Sequence, residues 1–270
     1  MNTQLLAWIQ SAGIFLLALI CFFLGKQIST WSGRKWMWGF FIPFFGIVLM
    51  LIPRYNPSFE TVIPFKWIMK GRSEFVWITP ICALSLSTLL FQLKHKREQF
   101  IITIFILFFI SYFSIAPFLM PVFAYQKLTH LKTKIDSNGI CLQETDYTCG
   151  PAAAVTLLSQ YNITASEGDL SIAAFTTRMA GTPPDLLCEA IQKKHGVTAH
   201  VQYNLTIEKI KNKTPFLAII KYAPLVDHYV VVFKITDTQV FLGDPLTGKR
   251  SCPRNEFLDQ WRRVGVWITP

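Results

Sequence analysis

Gln143-Glu144-Thr145-Asp146-Tyr147-Thr148-Cys149-Gly150-Pro151-Ala152-Ala153 is the stretch on which the reading of this chain turns. Pro151 and the apolar run that continues to Tyr161 predict a helix starting at Cys149, with proline in the first turn where it is tolerated. A cysteine there lies in the positive end of the helix dipole. That field stabilises a thiolate and makes the sulfur a candidate nucleophile. Gly150 lets another backbone approach the sulfur, and Ala152 and Ala153 leave the helix start unobstructed. Gln143 stands six residues upstream, where its side-chain amide can fold back. Together with the Cys149 N–H it would form a two-donor oxyanion hole.

A nucleophile of this kind needs an imidazole. His228 opens the β-type run His228-Tyr229-Val230-Val231-Val232-Phe233, and a strand fixes a general base better than a loop does. Asp244 follows sixteen residues later in Gly243-Asp244-Pro245-Leu246-Thr247-Gly248. A short turn at Thr236-Asp237-Thr238 would set the two strands antiparallel and bring Asp244 to the His228 ring, to hold its productive tautomer. His195, at a predicted helix end, and His200, in a polar-facing strand, are weaker candidates for the base.

Gln143…Cys149-Gly150, His228-Tyr229-Val230-Val231 and Asp244-Pro245…Gly248, in that order, resemble peptidase family C39, the papain-like double-glycine peptidases that process bacteriocins. The resemblance covers residues 140–268. It implies Cys149 as nucleophile, His228 as base, Asp244 as its orienting partner and Gln143 as oxyanion donor, acting on a peptide or protein substrate without a cofactor or metal. Thr148 departs from the pattern, since the family usually carries an acidic residue there. The order of parts departs as well, because well-known members precede six spans and an ATPase. The resemblance also implies an exporter as a partner. Two rival readings of the same residues are a non-catalytic module that binds a leader peptide and a cysteine-dependent acyltransferase or deamidase.

Outward from that core, helix signals give way to strand signals. Ser166 with Asp169, and Thr182 with Asp185, resemble capping boxes, and Gly196 marks a helix end. Strands are predicted at 197–203, 216–222, 228–235, 239–242 and 264–268. Helices followed by neighbouring strands predict an α+β domain with an antiparallel sheet at 140–270, reached through a connector at 125–139.

The first 124 residues read differently. The chain is 51% hydrophobic and 16% charged, against roughly 25% charged in soluble domains. Uncharged apolar runs at 5–25, 36–52, 75–93 and 100–123 match the length of helices that cross a bilayer, and predict a four-span transmembrane domain. Pro117 and Pro121 predict a kink in the fourth. No basic residue precedes the first run, so it reads as a span and not as a cleaved signal peptide.

The net charge of +10 is concentrated there: ten Lys/Arg against three Asp/Glu up to Phe123, and sixteen against thirteen after it. Basic residues in short loops between spans follow the positive-inside rule and do not indicate nucleic acid. The loops at 26–35 and 94–98 carry the denser charge, which predicts the later domain outside the cytoplasm; the resemblance implies that the membrane is a bacterial inner membrane. Lys66, Lys70, Arg72, Lys127, Lys132 and Lys134 weigh on the opposite side.

Gly243 to Lys249 nearly matches a phosphate-binding loop. Arg250 stands where Ser or Thr is required, and Cys252-Pro253 leaves no helix to hold phosphates, so no nucleotide is expected. Cys141, Cys188 and Cys252 lack metal-ligand spacing.

Overall fold

The computed structural model describes residues 3–56, 59, 62–68, 72–223 and 226–269, so Lys70 lies outside the described residues. The chain divides into two compact units, Met1–Pro53 with Trp67–Phe123, and Arg54–Lys66 with Ala124–Pro270.

The first unit is built on the long helices α1 (Thr3–Ser29), α2 (Met37–Met50), α5 (Ser73–Leu90) and α6 (Lys96–Phe123), and the short turns α3 (Ile52–Tyr55) and α4 (Phe65–Ile68) each straddle a division between the units. Four segments, Leu5–Ser29, Met37–Tyr55, Ser73–Leu90 and Lys96–Thr129, are long and apolar enough to cross a membrane. The ends differ from the sequence reading: α5 stops at Leu90, and Lys96, Arg97 and Glu98 belong to the first turn of α6. Glu98 there complements the helix dipole, and Lys96 and Arg97 are exposed.

Ala18, Ala83, Leu90, Ile106 and Ile110 form the core between α1, α5 and α6. The outer faces keep Phe23, Phe45 and Phe108 exposed. An apolar surface of that kind suits lipid, so helix association rests on close packing and a few polar contacts. Ser11 Oγ donates to the Ser114 carbonyl at 2.8 Å, and Ser85 Oγ to the Phe40 carbonyl at 3.2 Å.

One contact explains the prolines of α6. Pro121 has no N–H, so the carbonyl four residues back, that of Pro117, loses its helical partner. Arg72 Nη1 donates to that carbonyl at 3.2 Å, Nη2 reaches Gln10 Oε1 at 3.4 Å, and the guanidinium lies 5.1 Å from the Phe118 ring centre.

The second unit continues with α7 (Tyr125–Thr129), β1 (Lys134–Ile135), β2 (Cys141–Leu142), α8 (Cys149–Ser159), α9 (Glu167–Ala173), α10 (Pro184–His195), β3 (Thr198–Gln202), α11 (Ile207–Ile210), β4 (Phe216–Ala223), β5 (Val226–Ile235), β6 (Gln239–Asp244), β7 (Gly248–Pro253), α12 (Arg254–Gln260) and β8 (Trp261–Thr269). Six strands form one sheet in the order β3-β8-β4-β5-β6-β7, every pair antiparallel. This is the α+β architecture with an antiparallel sheet that the sequence predicts.

Both faces of the sheet are covered. Leu157, Leu158, Leu187 and Ile191 pack with Leu217, Val231 and Val266 on one side. Phe216, Val230, Val232, Leu242, Phe257 and Trp261 close the other. Each large aliphatic side chain so buried contributes about 1.5–3 kcal/mol, which makes the sheet a rigid base for a site.

Ser166 caps α9 by accepting the Asp169 N–H at 3.3 Å. Thr182 does not cap α10. Pro183 takes the N-cap position in extended conformation, and the Thr182 hydroxyl instead lies 2.9 Å from that of Thr176. Gly196 ends α10 with φ of 70°. The segment after Gly243 is a hairpin into β7 with no helix behind it, which removes the geometry a phosphate loop needs.

Candidate active site

Cys149 is the first residue of α8 and is buried together with the rest of the helix start. No side chain caps this end. The hydroxyl of Thr148, the N-cap residue, turns back to Thr145, donating to its carbonyl at 3.2 Å. The first-turn amides beside the sulfur are therefore not spent on a capping side chain. Gly150 allows the close approach that this corner requires: a methyl group on it would come within 2.9 Å of Thr182 Cβ. The Thr182 carbonyl in turn accepts the Tyr229 hydroxyl at 2.9 Å, which ties the wall opposite Gly150 to β5.

His228 lies near the start of β5 and Asp244 at the end of β6, both buried. His228 Nε2 and Asp244 Oδ1 are 2.8 Å apart. With Nε2 engaged there, Nδ1 is the nitrogen left for a thiol, and Cys149 is near enough to bear on the ring electrostatically. Asp244 Oδ1 also accepts the Leu246 N–H at 2.9 Å, and its Oδ2 accepts Arg250 Nε at 2.9 Å. The Tyr222 ring, largely exposed, lies 5.7 Å from the His228 ring and covers part of its outer side.

A single irregularity in the sheet makes this pairing possible. Near the turn, Ile235 pairs with Val240 and Lys234 with Phe241; beyond it, Val232 pairs with Leu242 and Val231 with Gly243. Phe233 is thus a bulge. Continued one step, the shifted register sets Val230 opposite Asp244, so that Asp244 and His228 project from the same face. Without the bulge the register would differ by one residue and put them on opposite faces. Gly243 accommodates the bulge, because a methyl group there would lie 2.7 Å from a ring carbon of Phe233.

The electrostatics follow from these contacts. Burial pushes the His228 imidazole down. The hydrogen bond to Asp244 and the Asp244 charge, with Cys149 nearby, outweigh burial and hold it up at about 9. Burial pushes Asp244 up, yet the bond to His228, the Leu246 N–H and Arg250 bring it to about 2. The carboxylate stays ionised through the whole physiological range.

Gln143 is fixed by its backbone, whose N–H donates to the Pro245 carbonyl at 2.9 Å. Its side-chain Nε2 donates to the Thr145 carbonyl at 2.7 Å. One amide proton is therefore committed away from the sulfur, and the second is what remains for an oxyanion. His195 ends α10 and His200 stacks on Trp267, each outside this cluster. Cys141, Cys188 and Cys252 are buried free thiols. Burial holds the first two up at about 12, as expected of inert core residues.

Two residues of this neighbourhood carry no sequence signal. Arg250 stands on β7, a strand whose polar run conceals it. Glu167 opens α9 with its side chain fully buried, and accepts the Glu144 N–H at 3.0 Å. Burial pushes its carboxyl up, opposed by the bond from the Glu144 N–H. It braces the segment between Gln143 and Cys149 from below.

Residues 137–270 match the model of the Peptidase C39 family. An uncharacterised protein of Methanothermobacter marburgensis is 29% identical over 127 residues, which span 47% of this chain and 85% of its own length. A second, from Methanothermobacter thermautotrophicus, is 27% identical over the same shares. Among solved structures, the peptidase domain of Streptococcus ComA, a bi-functional ABC transporter of a quorum-sensing pathway, is 22% identical. The alignment covers 48% of this chain and 96% of that one, with a TM-score of 0.44. A double glycine motif protease from an AMS/PCAT transporter, solved with a leader peptide, is 19% identical over 53% of this chain and 96% of that one, with a TM-score of 0.44.

Proposed function

We propose, from the C-terminal C39-like peptidase domain that follows the N-terminal helical membrane region, that this protein is a membrane-anchored cysteine peptidase. The observation that supports the reading is the buried His228–Asp244 bond at 2.8 Å, with Cys149 at the start of α8 bearing on the same ring. Cys149 is the nucleophile, His228 its acid and base, and Asp244 the group that orients the ring.

In the first half-reaction the Cys149 thiolate attacks a peptide carbonyl carbon. The Cys149 N–H and the uncommitted Gln143 amide proton stabilise the oxyanion. Protonated His228 gives its proton to the leaving amine as the C–N bond breaks and a thioester remains. Water then attacks the thioester carbonyl, His228 takes its proton, and Cys149 departs as thiolate with the acid product released. The covalent link to the helical region favours peptides presented at a membrane, and an exporter is the partner that would present them.

Comparing the peptides in membranes that carry wild-type protein and Cys149→Ala tests the function. Products found only with wild type support peptidase action. Identical peptidomes, or transfer to an added amine in preference to water, would overturn it in favour of a binding module or an acyltransferase. For sidedness, we propose that the peptidase domain lies outside the cytoplasm. A reporter that is active in the cytoplasm when fused after residue 270, and inactive in the 94–98 loop, would reverse that assignment.

A further inference from the structure

The carboxylate of Asp244 is shared between two cations of different kinds. Oδ1 faces the His228 ring and the Leu246 N–H, and Oδ2 faces the Arg250 guanidinium at 2.9 Å. The hairpin register sets up this pairing: Asp244 pairs with Gly248 and Leu242 with Arg250, so Arg250 is the diagonal neighbour of Asp244 on the same face of the sheet. Asp244 is buried, whereas the Arg250 side chain is about one-third exposed. The bond is therefore anchored on a fixed acceptor at its inner end. Other groups around the imidazole are Cys149 on α8, the Tyr222 ring on β4, and Asp227, whose charge is already met by Arg262 Nε of β8 at 2.7 Å. Among the described residues, Arg250 is thus the cation that bears on Asp244 besides His228 itself.

We propose that Arg250 is a positioning residue for this site, tempering the hold of Asp244 on the His228 proton so that the imidazolium can surrender it to a leaving amine. The inference rests on the peptidase reading above. A lone carboxylate beside an imidazole keeps it protonated over a wide range, which serves the thiolate and hinders proton donation. A guanidinium on the far oxygen withdraws part of that negative potential while leaving the orienting bond intact. It also keeps Asp244 from swinging its second oxygen toward the ring.

The test uses the full chain in detergent with ring-labelled histidine, the His228 signal being assigned through His228→Gln. The His228 titration is followed by NMR in wild type, Arg250→Gln and Arg250→Lys, and alkylation of Cys149 by iodoacetamide is measured across the same pH range. Thermal melts establish that each variant is folded. Arg250→Gln is expected to raise the His228 midpoint by about half a pH unit or more and to carry rapid alkylation to correspondingly higher pH. Arg250→Lys keeps the charge and stays nearer to wild type. An unchanged or lowered midpoint in folded Arg250→Gln overturns the proposal. The peptidase reading fails separately, if wild-type Cys149 alkylates no faster than an ordinary thiol near pH 6 while the NMR midpoint still responds to Arg250.

Discussion

The Phe233 ring lies against the α-carbon of Gly243, where a methyl group would come within 2.7 Å of it. Phe233 is the residue at which the register of β5 against β6 slips by one, and Gly243 lies just past the slip, paired with Val231. Gly243→Ala is therefore expected to destabilise the chain by about 1–3 kcal/mol through overpacking, and to reduce Cys149 alkylation by disturbing the His228–Asp244 bond. Phe233→Leu in the same chain should recover part of both losses, a coupling that a double-mutant cycle of melts and alkylation rates measures. Strict additivity would mean that the ring and the glycine act independently.

The raised His228 imidazole makes a prediction about pH. Its folded-state value of about 9 lies above the ordinary 6.5, so the folded protein holds a proton that the unfolded chain has released between them. The stabilisation is complete below about pH 6.5 and is lost as pH rises through about 9. Melting temperature in detergent should fall from pH 7 to pH 9.5, and His228→Gln should fall less over that interval. Equal slopes in the two proteins would contradict the assignment.

Glu167 should matter to stability more than its place on a short helix implies. Glu167→Ala leaves the Glu144 N–H without its acceptor, at a cost of about 1–3 kcal/mol. Glu167→Gln keeps a carbonyl acceptor in place and should cost less than half as much. Chemical denaturation of the three proteins in detergent provides the comparison.

In the helical region, Arg72→Leu should lower the melting temperature, since the Pro117 carbonyl loses its donor. Pro121→Ala restores an N–H four residues away and gives that carbonyl a helical partner again. The Arg72→Leu substitution should then cost less in a Pro121→Ala background than in wild type. Equal costs would show that the guanidinium acts through Gln10 and Phe118 alone.

What the sequence reveals depends on how locally each feature is encoded. The apolar runs of α1, α5 and α6 and the branched run of β5 state their structure in their own composition, and the Ser166 cap needs only its next three residues. β7 reads Gly-Lys-Arg-Ser-Cys-Pro with little β character, because it closes one edge of the sheet, and Arg250 is hidden with it. Thr182 carries the spacing of a cap but is claimed by Thr176, six residues back. The candidate site divides the same way. Cys149, His228 and Asp244 stand in recognisable local contexts. The commitment of Gln143 to Thr145, the bulge at Phe233 and the buried carboxyl of Glu167 depend on neighbours that only the folded chain brings together.

The strand Trp261–Thr269 follows every other strand in chain order and yet lies between β3 and β4. During synthesis both of those strands emerge from the ribosome before the one that joins them. Until it arrives they present open edges, and the sheet beneath the imidazole is split. A fragment ending before Trp261 would therefore expose two unpaired edges and aggregate.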